Sequence, residues 1–153
     1  MPLNERITSA DEFRSWTDKI PLRYEYTAGV AGERFLQGLK KGEILAGQCG
    51  KCGKKYLPPK MYCVDCFAPI VKFGAVGLRG SVAALTESWV DFQGKRRSSP
   101  TMIAFVAFTG VTGGIIHSAE GEHLRIGSAV EARFIPEPAR KGSLLDIEKF
   151  VSV

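Results

Sequence analysis

The sequence predicts a mainly β protein with N-terminal α-helices, in which a small cysteine-bearing ribbon precedes a five-stranded barrel of the OB type. Three observations lead to this fold class. The four cysteines form two close pairs, the chain holds 17 glycines and eight prolines, and its C-terminal half alternates short apolar runs with turns. Glycine and proline interrupt regular structure, so this composition favours short strands over long helices.

The two cysteine pairs carry the strongest chemical signal in the chain. They are Cys49-Gly50-Lys51-Cys52 and Cys63-Val64-Asp65-Cys66, separated by ten residues. A C-x-x-C turn directs two thiolates at one point, and the short connection returns the second pair to that point. Four thiolates in a tetrahedron form a closed structural zinc site with Zn–S distances of ~2.3 Å. We therefore predict a saturated zinc ion with no open position for water or substrate, bound by Cys49, Cys52, Cys63 and Cys66.

Iron is the main rival to zinc, because soft sulfur ligands suit it as well.

The N-terminus, Met1 to Arg6, lacks the features of a signal peptide, and no run approaches the ~18 apolar residues that cross a bilayer. We therefore expect a cytoplasmic protein without a membrane partner. In a reducing compartment four thiols do not persist as disulfides, which again favours a metal site.

The length and the charge of the chain set further bounds. At 153 residues it suits one compact unit or two very small ones. The formal net charge is +5 and the isoelectric point is about 9.1. A mildly basic chain favours anionic partners such as nucleic acid, a nucleotide-bearing cofactor or an acidic protein face, without choosing among them.

Residues 1–42 are predicted to form an N-terminal helical segment. A capping box begins a short helix from Ala10 to Thr17, which places Phe13 and Trp16 on one face. A second helix is predicted from Ala31 to Lys41, with lysines at its C-terminal end, where they suit the helix dipole. The narrow apolar faces of both helices either pack on the rest of the chain or dock a partner.

Residues 43–72 are predicted to form a zinc ribbon. A strand at Ile44–Gly47 leads into the first cysteine pair, and Lys54–Leu57 returns as a second strand. The Pro58-Pro59 step ends that strand, because proline cannot donate a hydrogen bond to a β-ladder. A segment of this size cannot fold on its own apolar area, so the metal is expected to supply much of its stability.

Residues 73–153 are predicted to form the OB-fold domain. The Met102–Phe108 run is apolar without interruption, which predicts a strand buried on both faces. Gly94–Pro100 and Gly110–Gly114 are predicted to be turns. Five short strands with glycine at the bends fit a small Greek-key barrel. The predicted strands are Gly80–Phe92, Met102–Phe108, a segment that begins at Ile115, Gly127–Phe134 and Leu144–Val151.

The order of these features resembles a known family. The features are the knuckle at Cys49–Gly53, the Tyr56–Pro59 step, the second cysteine pair, and the barrel segments Gly80-Ser81-Val82 and Gly127-Ser128-Ala129-Val130. This order is similar to that of the acyl-CoA-associated OB-fold proteins with an N-terminal rubredoxin-like zinc ribbon. The resemblance covers about residues 31–151.

The resemblance implies a function that is carried out with a partner. Members of this family are similar to non-catalytic accessory subunits of thiolase-fold enzymes. Such a subunit binds a thiolase, a ketoacyl synthase-like enzyme or an acyl-CoA aldolase as its catalytic subunit and helps to form the acyl-CoA site. It therefore implies a hetero-oligomer, a structural zinc ion at the four cysteines, a coenzyme A thioester at a shared site, and an aromatic acyl-CoA thiolase as one form of the complex. Phe67 stands where rubredoxin has glycine. That departure and the short gap between the cysteine pairs both favour zinc over iron.

Three adjacent cations, Lys95, Arg96 and Arg97, are candidates for contacts to the phosphates of coenzyme A. Guanidinium groups pair well with phosphate through two parallel hydrogen bonds. The alternative is that these side chains are a solvated hairpin tip. Trp89 has two interpretations as well, as an interface anchor on an exposed sheet face or as a core residue at the barrel edge.

No catalytic residue is predicted in this chain. His117 and His123 are its two histidines, and neither has a convincing partner in the sequence. The motifs of nucleophile elbows, zinc proteases, phosphate loops and dinucleotide sites do not occur, and the four cysteines are committed to metal. We therefore expect the chain to be inactive alone and to belong to an acyl-CoA thiolase or acyltransferase complex.

A nucleic-acid-binding module is the alternative function. Zinc ribbons and OB barrels both occur in such proteins, and the chain is basic. Binding of single strands requires exposed aromatic residues on the barrel face. Phe105 and Phe108 are predicted to be buried instead, and acidic residues such as Glu87 and Asp91 interrupt any basic track. We therefore expect that nucleic acid is not the partner.

Overall fold

The computed structural model describes Arg23, residues 25–91 and residues 94–153. The predicted helix from Ala10 to Thr17 lies outside the described residues. In chain order the elements are helix α1 (Gly29–Lys41) and strands β1 (Leu45–Gln48), β2 (Lys55–Leu57), β3 (Lys72–Ala75), β4 (Arg79–Val90), β5 (Arg96–Ala107), β6 (Thr112–Glu120), β7 (Ala129–Phe134) and β8 (Ile147–Ser152).

Strands β4 to β8 form a closed ring. β4 pairs antiparallel with β5 and with β7, and β5 pairs antiparallel with β6. β8 closes the ring, because it lies antiparallel to β7 and parallel to β6. A five-stranded ring of this kind is the OB-type barrel. The predicted fold class, mainly β with a ribbon ahead of a five-stranded barrel, is therefore confirmed.

The ribbon strands extend the same sheet. β1 pairs antiparallel with β2 and with the unpredicted strand β3, and β2 pairs parallel with β6. In that parallel pairing Leu57 lies opposite Gly113. Gly113 has φ +95°, and a Cβ at this position would overlap the carbonyl oxygen of Leu57. Glycine is therefore required where the ribbon meets the barrel. The prediction of a plain turn over Gly110–Gly114 is wrong for its last three residues, which belong to β6.

One apolar core extends from the helix into the barrel. Phe35 and Leu39 of α1 and Leu57 of β2 are buried with barrel residues such as Val106 and Phe150. A separate and smaller cluster lies at the cysteines and consists of Cys49, Tyr56, Cys63 and Ile70. The second cluster has four buried residues against fifteen in the first, so the knuckles have little apolar packing of their own.

Helix α1 confirms the predicted second helix and begins two residues before Ala31. Its buried residues include Ala31, Phe35 and Leu39, which recur every fourth residue and form the face that packs on the core. The helix ends at Gly42, whose φ of +81° is the left-handed conformation typical of helix C-termini. Within the described part of the chain, no helix is long and apolar enough to cross a membrane.

The hairpin of β4 and β5 is longer than predicted. The Asp91 N–H donates to the Lys95 carbonyl at 2.9 Å at the end of the hairpin, and β5 already begins at Arg96. The prediction that Gly94–Pro100 is a turn is therefore wrong beyond Lys95. The reason is that β4 and β5 keep pairing past the barrel, as far as Val90 opposite Arg96.

Two further strand predictions need correction. Ala104 and Val106 of β5 are buried, but Phe105 between them is only half-buried. The expected burial on both faces is wrong, because alternate residues of a barrel strand face outward. The predicted strand from Leu144 begins instead with a 3-10 turn at Leu144–Asp146. That turn forms because the buried Asp146 carboxylate accepts hydrogen bonds from three backbone N–H groups at 141–143.

Candidate metal centre

The two cysteine pairs form turns with the same backbone hydrogen bonds. In the first knuckle (49–54), the Cys49 N–H donates to the Lys54 carbonyl at 2.9 Å, and the Gly53 N–H donates to the Cys49 carbonyl at 3.0 Å. In the second knuckle (63–68), the equivalent bonds join Cys63 to Ala68 and Phe67 to Cys63, at 2.9 and 3.0 Å. The two knuckles are therefore structurally equivalent halves of one site.

The four sulfurs meet as predicted. All four Sγ atoms lie within 4.8 Å of one another. The Cys49–Cys66 and Cys52–Cys63 sulfur pairs are each 3.5 Å apart, far beyond the ~2.05 Å of a disulfide. Zinc bonded to four sulfurs at ~2.3 Å needs sulfur–sulfur separations of ~3.8 Å. The donor set thus fits a tetrahedral zinc ion, and the predicted positioning of Cys49, Cys52, Cys63 and Cys66 for zinc is confirmed.

The electrostatics of the four sulfurs also favour a cation. The Tyr56 hydroxyl lowers the pKa of Cys63 to about 6, against the desolvation that acts to raise it. At Cys52 the Lys54 N–H acts to lower the pKa, but desolvation and the neighbouring sulfurs raise it to about 12. Without a positive ion the four thiols therefore do not ionise together, and a divalent metal supplies the charge that lets all of them act as thiolates.

Three residues near Cys63 were missed by the sequence analysis. The Tyr56 hydroxyl donates to Asp65 Oδ2 at 2.6 Å and lies 3.2 Å from the Cys63 sulfur. Lys54 Nζ lies 2.8 Å from Asp65 Oδ1. The pKa of Asp65 is lowered first by Lys54 and then by Tyr56. Of these, only Asp65, inside the second C-x-x-C turn, lay at a position that the motif itself could have pointed out.

Phe67 occupies the position that Gly53 occupies in the first knuckle. Its φ is +55°, close to the +75° of Gly53 and unusual for an aromatic residue. The ring is 77% exposed. The sequence comparison with rubredoxin identified this position, and the structure shows that Phe67 adopts the left-handed conformation that glycine adopts in the first knuckle.

Phe67 is one of five exposed apolar residues within residues 61–71 that were not predicted from the sequence. We call this set the second-knuckle surface, and it consists of Met61, Tyr62, Val64, Phe67 and Val71. A cavity of about 590 Å³ adjoins it, lined by Met61, Tyr62 and Val71 together with Val30 and Arg34 of α1. Exposed apolar groups collected in one place are typical of interaction sites.

The other candidate residues lie elsewhere. Lys95, Arg96 and Arg97 are exposed at the tip of the β4–β5 hairpin, and Arg97 Nη1 donates to Thr101 Oγ1 at 3.1 Å. Trp89, also on this hairpin, is 45% exposed. This tip lies beyond the part of β5 that pairs with β6, which begins at Ile103. The proposed coenzyme A contacts and the metal centre are therefore carried by different parts of the fold.

The two histidines lie away from the sulfur cluster. His117 is on β6, where its Nδ1 lies 3.1 Å from Ser118 Oγ and its ring packs edge-on against Phe150. Burial lowers the pKa of His117. His123 is exposed in the turn after β6, with φ +59°. His117 thus has the packing of a barrel residue rather than of a metal ligand.

Comparison with known proteins adds to this geometry. Residues 36–71 match the family described as ChsH2, rubredoxin-like zinc ribbon domain. A solved DUF35-family protein of unknown function from Sulfolobus solfataricus is 27% identical, with a TM-score of 0.67, over 85% of this chain and 90% of that one. No curated protein matches the chain.

A second solved structure is described as an Ltp2-ChsH2(DUF35) aldolase. It is 15% identical, with a TM-score of 0.59, over 78% of this chain and 91% of the matched chain, and at this identity it shows the fold alone. The resemblance stated from the sequence is thus supported by the ribbon match and by the fold of both structures. The chain is an OB-type barrel protein whose residues 36–71 match a rubredoxin-like zinc ribbon domain.

Proposed function

We propose that this protein is a non-catalytic, zinc-containing accessory subunit of a thiolase-type complex that transforms acyl-CoA. The observation that carries the proposal is the ChsH2-type ribbon, in which a coordinatively saturated metal site lies beside an exposed apolar surface. A metal with four sulfur ligands has no position for a substrate. The ribbon is therefore better suited to hold a surface in shape than to perform chemistry.

The second-knuckle surface is the proposed contact with the catalytic subunit. Met61, Phe67 and Val71 are exposed on it, and Arg34 borders the adjoining cavity. The charge of this region is also distinctive. Residues 29–75 carry eight Lys or Arg against three Asp or Glu, whereas residues 76–153 carry nine against eight. We expect the partner to offer an apolar patch with an acidic border, because complementary charge favours and orients association.

The Ltp2-ChsH2(DUF35) aldolase supports a complex with a partner subunit. In that structure a chain with this fold is named together with a second protein in one aldolase. We extend the arrangement to this chain and infer a hetero-oligomer with a thiolase-fold subunit. That subunit would supply the groups that make or break the carbon–carbon bond, and this chain would wall the acyl-CoA site and exclude water from it.

The hairpin tip is the proposed contact with coenzyme A. Lys95, Arg96 and Arg97 are exposed there and lie outside Ile103–Ala107, the part of β5 that pairs with β6. Their charge suits the phosphates of coenzyme A. The acyl group of an aromatic acyl-CoA would then lie in the partner's site, so these three residues would affect binding of the coenzyme A portion only.

The test is purification of the tagged full-length chain from its native host, followed by identification of the protein that co-elutes. We expect a thiolase-fold protein in fixed proportion. The complex should cleave or form an acyl-CoA thioester product, whereas the isolated chain should not. Appreciable thioester turnover by the chain alone would overturn the proposal, as would elution with a single-stranded nucleic acid that is released by salt.

A further inference from the structure

Equivalent cysteines of the two knuckles differ in their exposure to solvent. Cys49 and Cys63 take equivalent places in the two knuckles, and each is 1% exposed. Cys52 and Cys66 are likewise equivalent, yet Cys52 is exposed and Cys66 is half-buried. Cys66 also packs, with Ala68, against the apolar cluster at the site. The second knuckle thus covers Cys66 better than the first knuckle covers Cys52.

A side-chain hydroxyl adds a second difference. The Tyr56 hydroxyl lies 3.2 Å from the Cys63 sulfur, and Tyr56 is itself 1% exposed. The backbone contacts of the two sulfurs are equivalent, because Cys49 accepts from the N–H groups of Lys51 and Cys52 at 3.4 and 3.5 Å, and the backbone of Asp65 and Cys66 does the same for Cys63. The Tyr56 hydroxyl is therefore an additional contact at Cys63. In the metal-loaded site the Cys63 sulfur is a thiolate, so the single Tyr56 proton has two acceptors, this sulfur and the Asp65 carboxylate.

We propose that the zinc centre has one protected and one reactive side: Tyr56 holds and shields Cys63, and Cys52 is the sulfur at which alkylating electrophiles modify the centre. All four sulfurs are thiolates when metal is bound, so protonation does not distinguish them. Access and hydrogen bonding distinguish them instead. This inference rests on the metal site and is independent of the proposed accessory function.

Iodoacetamide is an electrophile that would modify Cys52. The Cys52 sulfur attacks the methylene carbon, an S–C bond forms as the C–I bond breaks, and iodide leaves with the bonding electron pair. The product is a neutral thioether, which is a poorer ligand for zinc than the thiolate. Loss of this one ligand opens the first knuckle, while Cys63 keeps its contact with Tyr56.

The test uses the zinc-loaded, full-length protein. A limiting amount of iodoacetamide is added, the metal is then removed in denaturant, and the remaining thiols are labelled with an isotopically heavy reagent. Mass spectrometry with fragmentation gives the modified fraction of each cysteine. We expect Cys52 to react first and Cys63 last, with zinc released as Cys52 is modified. Equal reaction of Cys52 and Cys66, or earlier reaction of Cys63 than of Cys49, would overturn the inference.

Tyr56→Phe tests the role of the hydroxyl, because phenylalanine keeps the ring in the small apolar cluster. The ratio of Cys63 to Cys49 labelling should rise, while Cys52 should still react first. Zinc affinity should fall by about 10-fold, the lower end of what loss of a hydrogen bond to a metal ligand costs. The matched control is Tyr62→Phe, which removes an exposed hydroxyl from the same ribbon and should change neither the ratio nor the affinity.

Cobalt substitution gives a readout that does not depend on alkylation. A hydrogen bond lowers the energy of the sulfur lone pairs, so its loss in Tyr56→Phe should move the sulfur-to-cobalt absorption band to longer wavelength. Asp65→Asn weakens the competing acceptor, so the Tyr56 proton should shift toward Cys63 and the band should move to shorter wavelength. If neither variant moves the band, the hydroxyl serves only to hold Asp65, and the proposed role of Tyr56 is wrong.

Discussion

The two knuckles have the same backbone and different side chains. Equivalent hydrogen bonds close both turns, yet Lys51 stands in the first where Asp65 stands in the second, and Gly53 stands where Phe67 does. The first knuckle is polar and leaves Cys52 exposed, whereas the second carries an apolar surface and a side-chain contact to its buried cysteine. The same backbone conformation therefore accommodates two different sets of side chains.

Removal of the metal should abolish the equivalence of the knuckles and have the largest effect. The cluster around Cys49 and Cys63 is small, so the ribbon should lose its structure, while the barrel keeps the core to which Val106 and Phe150 belong. Hydrogen exchange after chelation should show lost protection at residues 48–70 and retained protection in β4 to β8.

Metal analysis is the control for the chelation experiment, because protection in the ribbon is informative only once zinc loss is complete. Retained protection in both knuckles of the metal-free protein would show that their equivalence comes from packing. It would also contradict the view that the metal supplies much of the ribbon's stability.

Gly113→Ala should have the next largest effect, because it separates the strand between the knuckles from the barrel. A Cβ at Gly113 would overlap the Leu57 carbonyl oxygen, and the φ of +95° is unfavourable for alanine. We expect a loss of about 3 kcal/mol in the free energy of unfolding, within the range of backbone clashes. Gly74→Ala is the matched control, since a Cβ there has nothing within 4 Å. A similar loss in both variants would contradict the assigned role of Gly113.

Phe67→Gly should have the smallest effect on the fold, because it gives the second knuckle the residue type that the first knuckle has at this position. Glycine accepts the φ of +55° without strain, so the ribbon should keep its metal. Affinity for the co-purified catalytic subunit should fall about tenfold, as for a central interface residue. Surface-based measurement of the affinity for the catalytic subunit checks this expected loss. The control is Ile126→Ala, because Ile126 is an exposed apolar residue outside the ribbon. Unchanged affinity would show that the second-knuckle surface is not the contact.

The metal site and the barrel could be predicted because their signals are local. The spacing of Cys49 and Cys52, and of Cys63 and Cys66, determines a turn whatever surrounds it. The glycines between apolar runs likewise place the strand ends, so the predicted ends of the barrel strands lie within three residues of the observed ones, except the start of β5, which was placed six residues too late. The helix at Gly29–Lys41 followed from the spacing of its apolar residues and from Gly42 at its end.

The contacts that could not be predicted join distant residues. Tyr56 reaches Cys63 and Asp65 only because β2 lies beside the second knuckle, and no spacing in the sequence encodes that approach. Phe105 was expected to be buried because an apolar run does not reveal that one side of the strand faces out of a barrel. The role of Gly113 depends on a parallel pairing between residues that are 56 positions apart.

The pairing of β2 with β6 has a further consequence for how a complex could be built. Because hydrogen bonds join the two strands directly, the ribbon cannot swing on a linker, and its orientation relative to the hairpin tip is set within one continuous sheet. A protein that binds the ribbon would therefore meet the exposed cations Lys95, Arg96 and Arg97 on an extension of the same sheet. The sheet thus sets the spacing between the cysteine site and the cations.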